Sequence, residues 1–206
     1  MGSTRELRGP LYLDDVAIPD TINGTVNDNV LATKVHTNTG TISSAVDNTF
    51  NTAVDGSFTA DFPAGNYYLD NLTVKGPVTV QGPATYVITG DFAVQAGGAI
   101  VISGGPVTFY FEGEVYVAGQ GFVNTTEDPR NLLLYSTGPT AYLAGGSDFY
   151  GYFYGPNTTD VQVAGGSDFY GGIAGKTLTM TGNGEVHTDV GGGFGYPNRS
   201  VPLLVD

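Results

Sequence analysis

Two eight-residue phrases hold most of the side chains that could do chemistry. Residues 144–151 and 164–171 both read Ala-Gly-Gly-Ser-Asp-Phe-Tyr-Gly, offset by 20 positions. An altered third copy, Thr181-Gly182-Asn183-Gly184-Glu185-Val186-His187, puts Glu185, Val186 and His187 in the Asp, Phe and Tyr slots. Identity at a fixed period predicts one structural unit stacked on itself, with like residues in columns. Asp148, Asp168 and Glu185 then form a column of acids about 4.8 Å apart. Like charges at that spacing repel by roughly 1 kcal/mol in bulk water and about 3–4 kcal/mol at an effective dielectric of 20. The carboxylates must therefore point into water, accept backbone N–H groups in their turns, or share a cation, for which Ca2+ is the hard-oxygen choice. Two positions on, Tyr150, Tyr170 and His187 are predicted to face outward, opposite Phe149, Phe169 and Val186. Such a column either stacks on sugar rings or forms a half-buried ladder that supports its own sheet.

No catalytic constellation accompanies these columns, and a non-enzymatic protein is the expectation. Lyases acting on acidic polysaccharides need a basic residue, and the repeats offer Lys176, with Lys75 and Arg130 elsewhere. Glycoside hydrolases need two carboxylates at a set separation, whereas a repeating slot for Asp148 and Asp168 looks architectural. Asn157-Thr158-Thr159-Asp160 echoes a pectinase-type motif but has no partner downstream. His36 and His187 are the only histidines, and no HExxH or nucleotide loop is present. Acidic residues outnumber Lys and Arg by 20 to 7, a net charge of −13. That balance excludes nucleic acid as a partner, since its affinity comes from basic side chains neutralising phosphate. No apolar run reaches membrane-spanning length, so no membrane insertion by this chain is expected. Cys is absent, which removes disulfides and thiolate metal sites. Residues 1–8 lack the apolar core of a signal peptide. The Asn/Thr/Gly/Tyr-rich, charge-poor composition nonetheless suits an extracellular or cell-surface location.

The elements that must hold these columns are short strands. From Pro63 onward, β-branched and aromatic runs such as Leu72-Thr73-Val74, Val78-Thr79-Val80, Tyr86-Val87-Ile88, Ile100-Val101-Ile102 and Val107-Thr108-Phe109-Tyr110-Phe111 alternate with Gly-rich corners. Aligned before each corner, Val80, Val94, Val117, Leu143, Val163 and Met180 are separated by 14, 23, 26, 20 and 17 residues. This irregular spacing predicts an all-β fold, a right-handed parallel β-helix with variable corners. The widest gap holds a polar loop at 124–131. One short capping α-helix is expected from Ser43 or Ser44 to Gly56, because Val46, Phe50 and Val54 share a face at a spacing of four. The predicted organisation is an N-terminal arm and capping segment (1–62), the β-helix (63–190) and a C-terminal docking tail (191–206). In the tail, Phe194, Tyr196, Val201, Leu203, Leu204 and Val205 follow a Gly191-Gly192-Gly193 hinge and are expected to dock on the solenoid or on a second copy.

Residues 63–189 resemble a Gly-rich β-helical module of bacterial secreted and cell-surface proteins, including PilX-like type IV pilus accessory proteins. The phrases that carry this are Pro63-Ala64-Gly65-Asn66-Tyr67-Tyr68, Tyr86-Val87-Ile88-Thr89-Gly90-Asp91, the paired Gly-Gly-Ser-Asp-Phe-Tyr-Gly, and Gly182-Asn183-Gly184-Glu185-Val186-His187-Thr188-Asp189. The resemblance implies a surface, adhesive or appendage role and no reaction. The expectation is thus a structural or adhesive surface protein that assembles with itself, as a filament or pilus-like subunit. Carbohydrate binding through the Tyr column and polysaccharide degradation are the alternatives.

Overall fold

The computed structural model describes residues 25–31, 34–39, 48–50, 60–69 and 71–188. An antiparallel hairpin comes first, β1 (Thr25–Leu31) with β2 (Lys34–Thr39). Four coils of three strands follow. The first is β3 (Asn48–Phe50), β4 (Ala60–Phe62) and β5 (Gly65–Leu69). The second is β6 (Leu72–Val74), β7 (Pro77–Gln81) and β8 (Ala84–Ile88). The third is β9 (Phe92–Val94), β10 (Ala99–Ser103) and β11 (Val107–Phe111). The fourth is β12 (Val115–Val117), β13 (Gly121–Asn124) and β14 (Leu132–Ser136), with a 3-10 turn at Pro129–Asn131 before β14. The remaining coils have two strands each: β15 (Thr140–Leu143) and β16 (Phe149–Gly155), then β17 (Asp160–Gly165) and β18 (Phe169–Gly175), then β19 (Leu178–Gly182) and β20 (Val186–Thr188).

Stacking these coils makes three walls. Wall A runs β2-β1-β5-β8-β11-β14-β16-β18-β20, wall B runs β19-β17-β15-β12-β9-β6-β3, and wall C holds only β13-β10-β7-β4. Between coils the described pairings are parallel; only the β1–β2 hairpin is antiparallel. The chain is a parallel β-solenoid, as the repeat spacing predicts. Alternation supplies the reason: in β7, β9 and β11 every second residue is buried, so one face of each wall turns to a shared interior. Inside, Tyr67 stacks on Tyr86 at 4.4 Å and Tyr86 on Phe109 at 4.6 Å between ring centroids. Phe92, Phe111 and Phe122 fill the rest of the cross-section. The Tyr86 hydroxyl is buried among these rings and makes no hydrogen bond with good geometry. Burial and the Tyr67 hydroxyl beside it raise its pKa well above 10. Burial also pushes Tyr67 up to about 12, while its hydroxyl donates to the Pro63 carbonyl at 2.6 Å.

Two expectations need correction. Asn48–Phe50 is a strand paired in parallel with β6, so the capping helix does not run through it. The rest of the predicted helix lies outside the described residues. Three apolar residues at a spacing of four are a thin helical signal, and Asn48 and Thr49 are weak helix formers; the offered edge of β6 outweighs local propensity. β3 and β4 are therefore rungs of the stack although they fall in the segment read as arm and cap. Second, Val80 does not head the anchor column. Its neighbours in register are Phe62 and Ile102 in wall C, and the residue above Val94 in wall B is Val74. The lower anchors, Val94, Val117, Leu143, Val163 and Met180, do stand in one column.

Candidate functional site

The repeated phrases form the corner where walls B and A meet in the two-stranded coils. Phe149, Phe169 and Val186 are in register, as are Tyr150, Tyr170 and His187. The Phe149 and Phe169 rings stack at 4.4 Å and belong to or pack against the core. On the outer side Tyr150 stacks on Tyr170 at 4.6 Å and 7°, and Tyr170 on His187 at 4.6 Å and 10°.

The acids settle among the options their spacing left open by bonding to the next coil. Asp148 Oδ1 accepts the Asp168 N–H at 3.0 Å, and Asp168 Oδ1 accepts the Glu185 N–H at 2.9 Å. Each carboxylate so ties the corner above to the corner below. Asp168 also accepts from the Tyr170 hydroxyl at 3.4 Å through Oδ2, and His187 Nε2 lies 3.6 Å from that oxygen and 3.8 Å from Glu185 Oε2. The Glu185 N–H, with His187 and Tyr170, holds the Asp168 carboxyl below the usual range. Partial burial, then nearby carboxylates, raises the Tyr150 and Tyr170 phenols. Among the described residues no group of three or more His, Asp or Glu is placed to hold a metal ion.

A second ladder of the same design stands at the entrance to wall B. The Asp91 N–H donates to Asn71 Oδ1 at 2.7 Å, and the Glu114 N–H donates to Asp91 Oδ1 at 3.0 Å. Sequence reading missed it because no surrounding phrase repeats. The available signal was an Asn, Asp or Glu just before the apolar starts of β6, β9 and β12. Both ladders end on Glu and both serve turns, which marks them as parts of the scaffold.

The chemistry open to this corner is limited by that geometry. Tyr170 is stacked on both faces, by Tyr150 and His187, and so offers a sugar only its ring edge and hydroxyl, while Tyr150 is stacked on one face by Tyr170. An acid catalyst needs a raised carboxyl pKa, and Asp168 is lowered. Lys176 lies in an exposed turn after β18, Lys75 after β6, and Arg130 forms a two-bond pair with Asp128 at 2.9 and 2.7 Å, so the predicted cations are not gathered at the acids. The tail residues Phe194, Tyr196, Val201, Leu203, Leu204 and Val205 lie outside the described residues.

Coils in parallel register, side-chain columns on both faces and turns tied by acids define a parallel β-solenoid protein. More particularly, the chain belongs to the family described as a domain of unknown function (DUF7305), whose model matches residues 14–190. Comparisons with curated proteins and with solved structures find no match.

Proposed function

We propose that this chain is a non-catalytic structural or adhesive protein, extracellular or at the cell surface, that assembles with copies of itself through its last coil. The observation that carries this reading is the state of that coil. Among the described residues β19 and β20 are the last strands of walls B and A, and they continue the interior columns with Leu178 below Val161, Met180 below Val163 and Val186 below Phe169. Met180 is 39% exposed, and Leu178 and Val186 are only half-buried. A further layer would bury them and pair along the edges of β19 and β20, to which no other described strand is paired on that side, which is how a sheet edge recruits another chain. Contacts of one end with a different surface give open filaments, and contacts of like ends give closed dimers. The likeness of residues 63–189 to surface and pilus-associated modules supports the location and the appendage role.

Sedimentation velocity across a wide concentration range, with electron microscopy of the same samples, tests the reading. Oligomers or filaments should form with concentration, and Met180→Lys should remove them while leaving the far-UV circular dichroism unchanged. A monomer at every concentration overturns the proposal. Carbohydrate binding by the Tyr150–Tyr170 column is the weaker reading, because Tyr170 is stacked on both faces by Tyr150 and His187. A glycan array on the parent chain and on Tyr150→Ala and Tyr170→Ala separates the two.

A further inference from the structure

Among the described residues two large hydrophobic side chains stand exposed, Met180 on the last coil and Tyr116 on wall B. Tyr116 is the middle residue of β12, between buried Val115 and Val117, so its ring points outward, and it is 48% exposed. The outer row of wall B runs in register through Thr73, Ala93, Tyr116, Tyr142, Gln162 and Thr179. Tyr116 and Tyr142 stack at 5.2 Å and 12°. The row thus holds a ladder of two rings, each with a second face turned along the solenoid axis. Beyond Tyr142 stands Gln162, a long side chain whose Nε2 donates to Asp160 Oδ2 at 2.6 Å. Beyond Tyr116 stands the Ala93 methyl alone, and among the described residues Tyr116 stacks on no ring but Tyr142. Rungs lie about 4.8 Å apart, so Thr73 and Tyr116 are roughly 10 Å apart with Ala93 between them. One rung of the ladder lacks its ring.

We propose that this rung binds a neutral pyranose ring of a glycan, laid on the free face of Tyr116 and over the Ala93 methyl. The height fits, because the molecule's own outer ladders space their rings at 4.6 and 5.2 Å. A ring at that spacing from Tyr116 sits on Ala93 and meets Thr73 on its other side. A pyranose turns C–H groups outward from its faces and hydroxyls from its edge. The face of Tyr116 is apolar and carries the negative side of the ring quadrupole, which suits C–H groups. The edge meets polar side chains. Glu114 lies two residues before Tyr116 and Gln95 two residues after Ala93, both exposed, and among the described residues neither side chain has a partner. A carboxylate accepts from hydroxyls, and a carboxamide both accepts and donates. An apolar side chain in the same place would cover these groups and leave them unpaired, at a cost. An acidic sugar would face Glu114, Asp91 and a chain of net charge −13, with Lys75 as the nearby cation. These two costs select a neutral, hydroxylated ring. The site shares no residue with the Tyr150–Tyr170 column or the last coil, so it stands whether or not the chain assembles.

Binding to one open ring is weak, so saturation-transfer NMR on the full chain is the measurement, with cellohexaose, xylohexaose, mannohexaose and chitohexaose as probes. At least one should receive saturation, most strongly at the C–H protons of a pyranose face. Tyr116→Ala should weaken that binding by about ten-fold. Ala93→Tyr should do the same by setting a third ring on the rung, with the far-UV circular dichroism unchanged. This second variant keeps Tyr116 and decides the matter should Tyr116→Ala disturb the wall. Tyr170→Ala on wall A and Met180→Lys on the last coil should bind as the parent does. Saturation of none of these probes overturns the proposal, as does binding that survives either Tyr116→Ala or Ala93→Tyr in the folded chain. Binding lost with Tyr170→Ala instead gives the glycan to the wall A column. Oligomers lost with Ala93→Tyr while glycan binding stays give the rung to a second copy, and each of these results equally overturns the proposal.

Discussion

The first four coils and the last three solve the same problem with different cross-sections. Where wall C is present, the interior is wide and aromatic rings fill it: Tyr67, Tyr86, Phe92, Phe109, Phe111 and Phe122 are all 2% exposed or less. Where wall C is absent, walls A and B must meet directly, and glycine replaces bulk. A Cβ on Gly175 would overlap the Val161 side chain from the facing wall. Gly171 adopts φ 136°, and a Cβ there would strike the Gly151 carbonyl. In the narrow part Phe153, Val161 and Phe169 stay buried, while Phe149, Val163, Ile173 and Leu178 are only partly buried. The number of walls is thus set by what fills the middle.

Asn124 makes the change from one section to the other. It is 3% exposed at the end of wall C's last strand. Its Nδ2 donates to the carbonyls of Asp128 and Tyr150, at 2.9 and 3.0 Å, and its Oδ1 accepts from the Thr126 N–H and hydroxyl, at 3.1 and 2.7 Å. One side chain thereby holds the loop that ends wall C and grips β16 in the coil where the third wall is missing.

The largest expected effect sharpens the contrast between the two sections. Phe109→Ala should cost about 3–5 kcal/mol in chemical denaturation, and Phe149→Ala clearly less; equal losses would break the comparison. Next, Asn124→Ala removes a fully bonded buried amide at the boundary and should cost roughly 2–3 kcal/mol. Hydrogen exchange should then rise in β16 before β8, and uniform exchange would deny Asn124 its boundary role. Gly175→Ala should destabilise by about 1–3 kcal/mol through overpacking of the narrow section, whereas Gly166→Ala, with nothing within 4 Å of the added carbon, should be near neutral. Tyr86→Phe removes an unpartnered hydroxyl from the wide section and should be neutral or stabilising by up to about 1 kcal/mol; a clear loss would reveal a hidden bond.

The smallest effect concerns pH. The Asp168 carboxyl has a lower pKa folded than free. Its stabilising contribution is therefore complete above the ordinary carboxylate pKa of about 4 and is lost as pH falls through the folded value. Tm plotted against pH should fall less steeply on the acid side in Asp168→Asn than in the parent. Identical curves would show that the ladder bond to Glu185 does not depend on charge.

Much of this is legible in the chain. The eight-residue phrase places Phe149 over Phe169 and Tyr150 over Tyr170, since identical letters at one period can stack only in register. The loop at 124–131 is visible as the polar stretch in the widest gap. Val80 falls into the wrong column when read by letters, because Val-Gln-Gly resembles the other corners, and only pairing with Ile102 shows which wall it serves. The helical signal around Phe50 misleads because three spaced apolar residues fit a strand beside β6 as well as a helix.

Composition and period, by themselves, determined that this is an all-β stack with inward and outward columns, because side-chain alternation and repeat identity are local properties of the chain. They did not determine that wall C stops after Asn124, that the acid column bonds backbone N–H groups of the next coil, or that Ala93 stands next to Tyr116 in the outer row of wall B. Those depend on which residues from distant coils arrive opposite one another, and only the packed structure decides that.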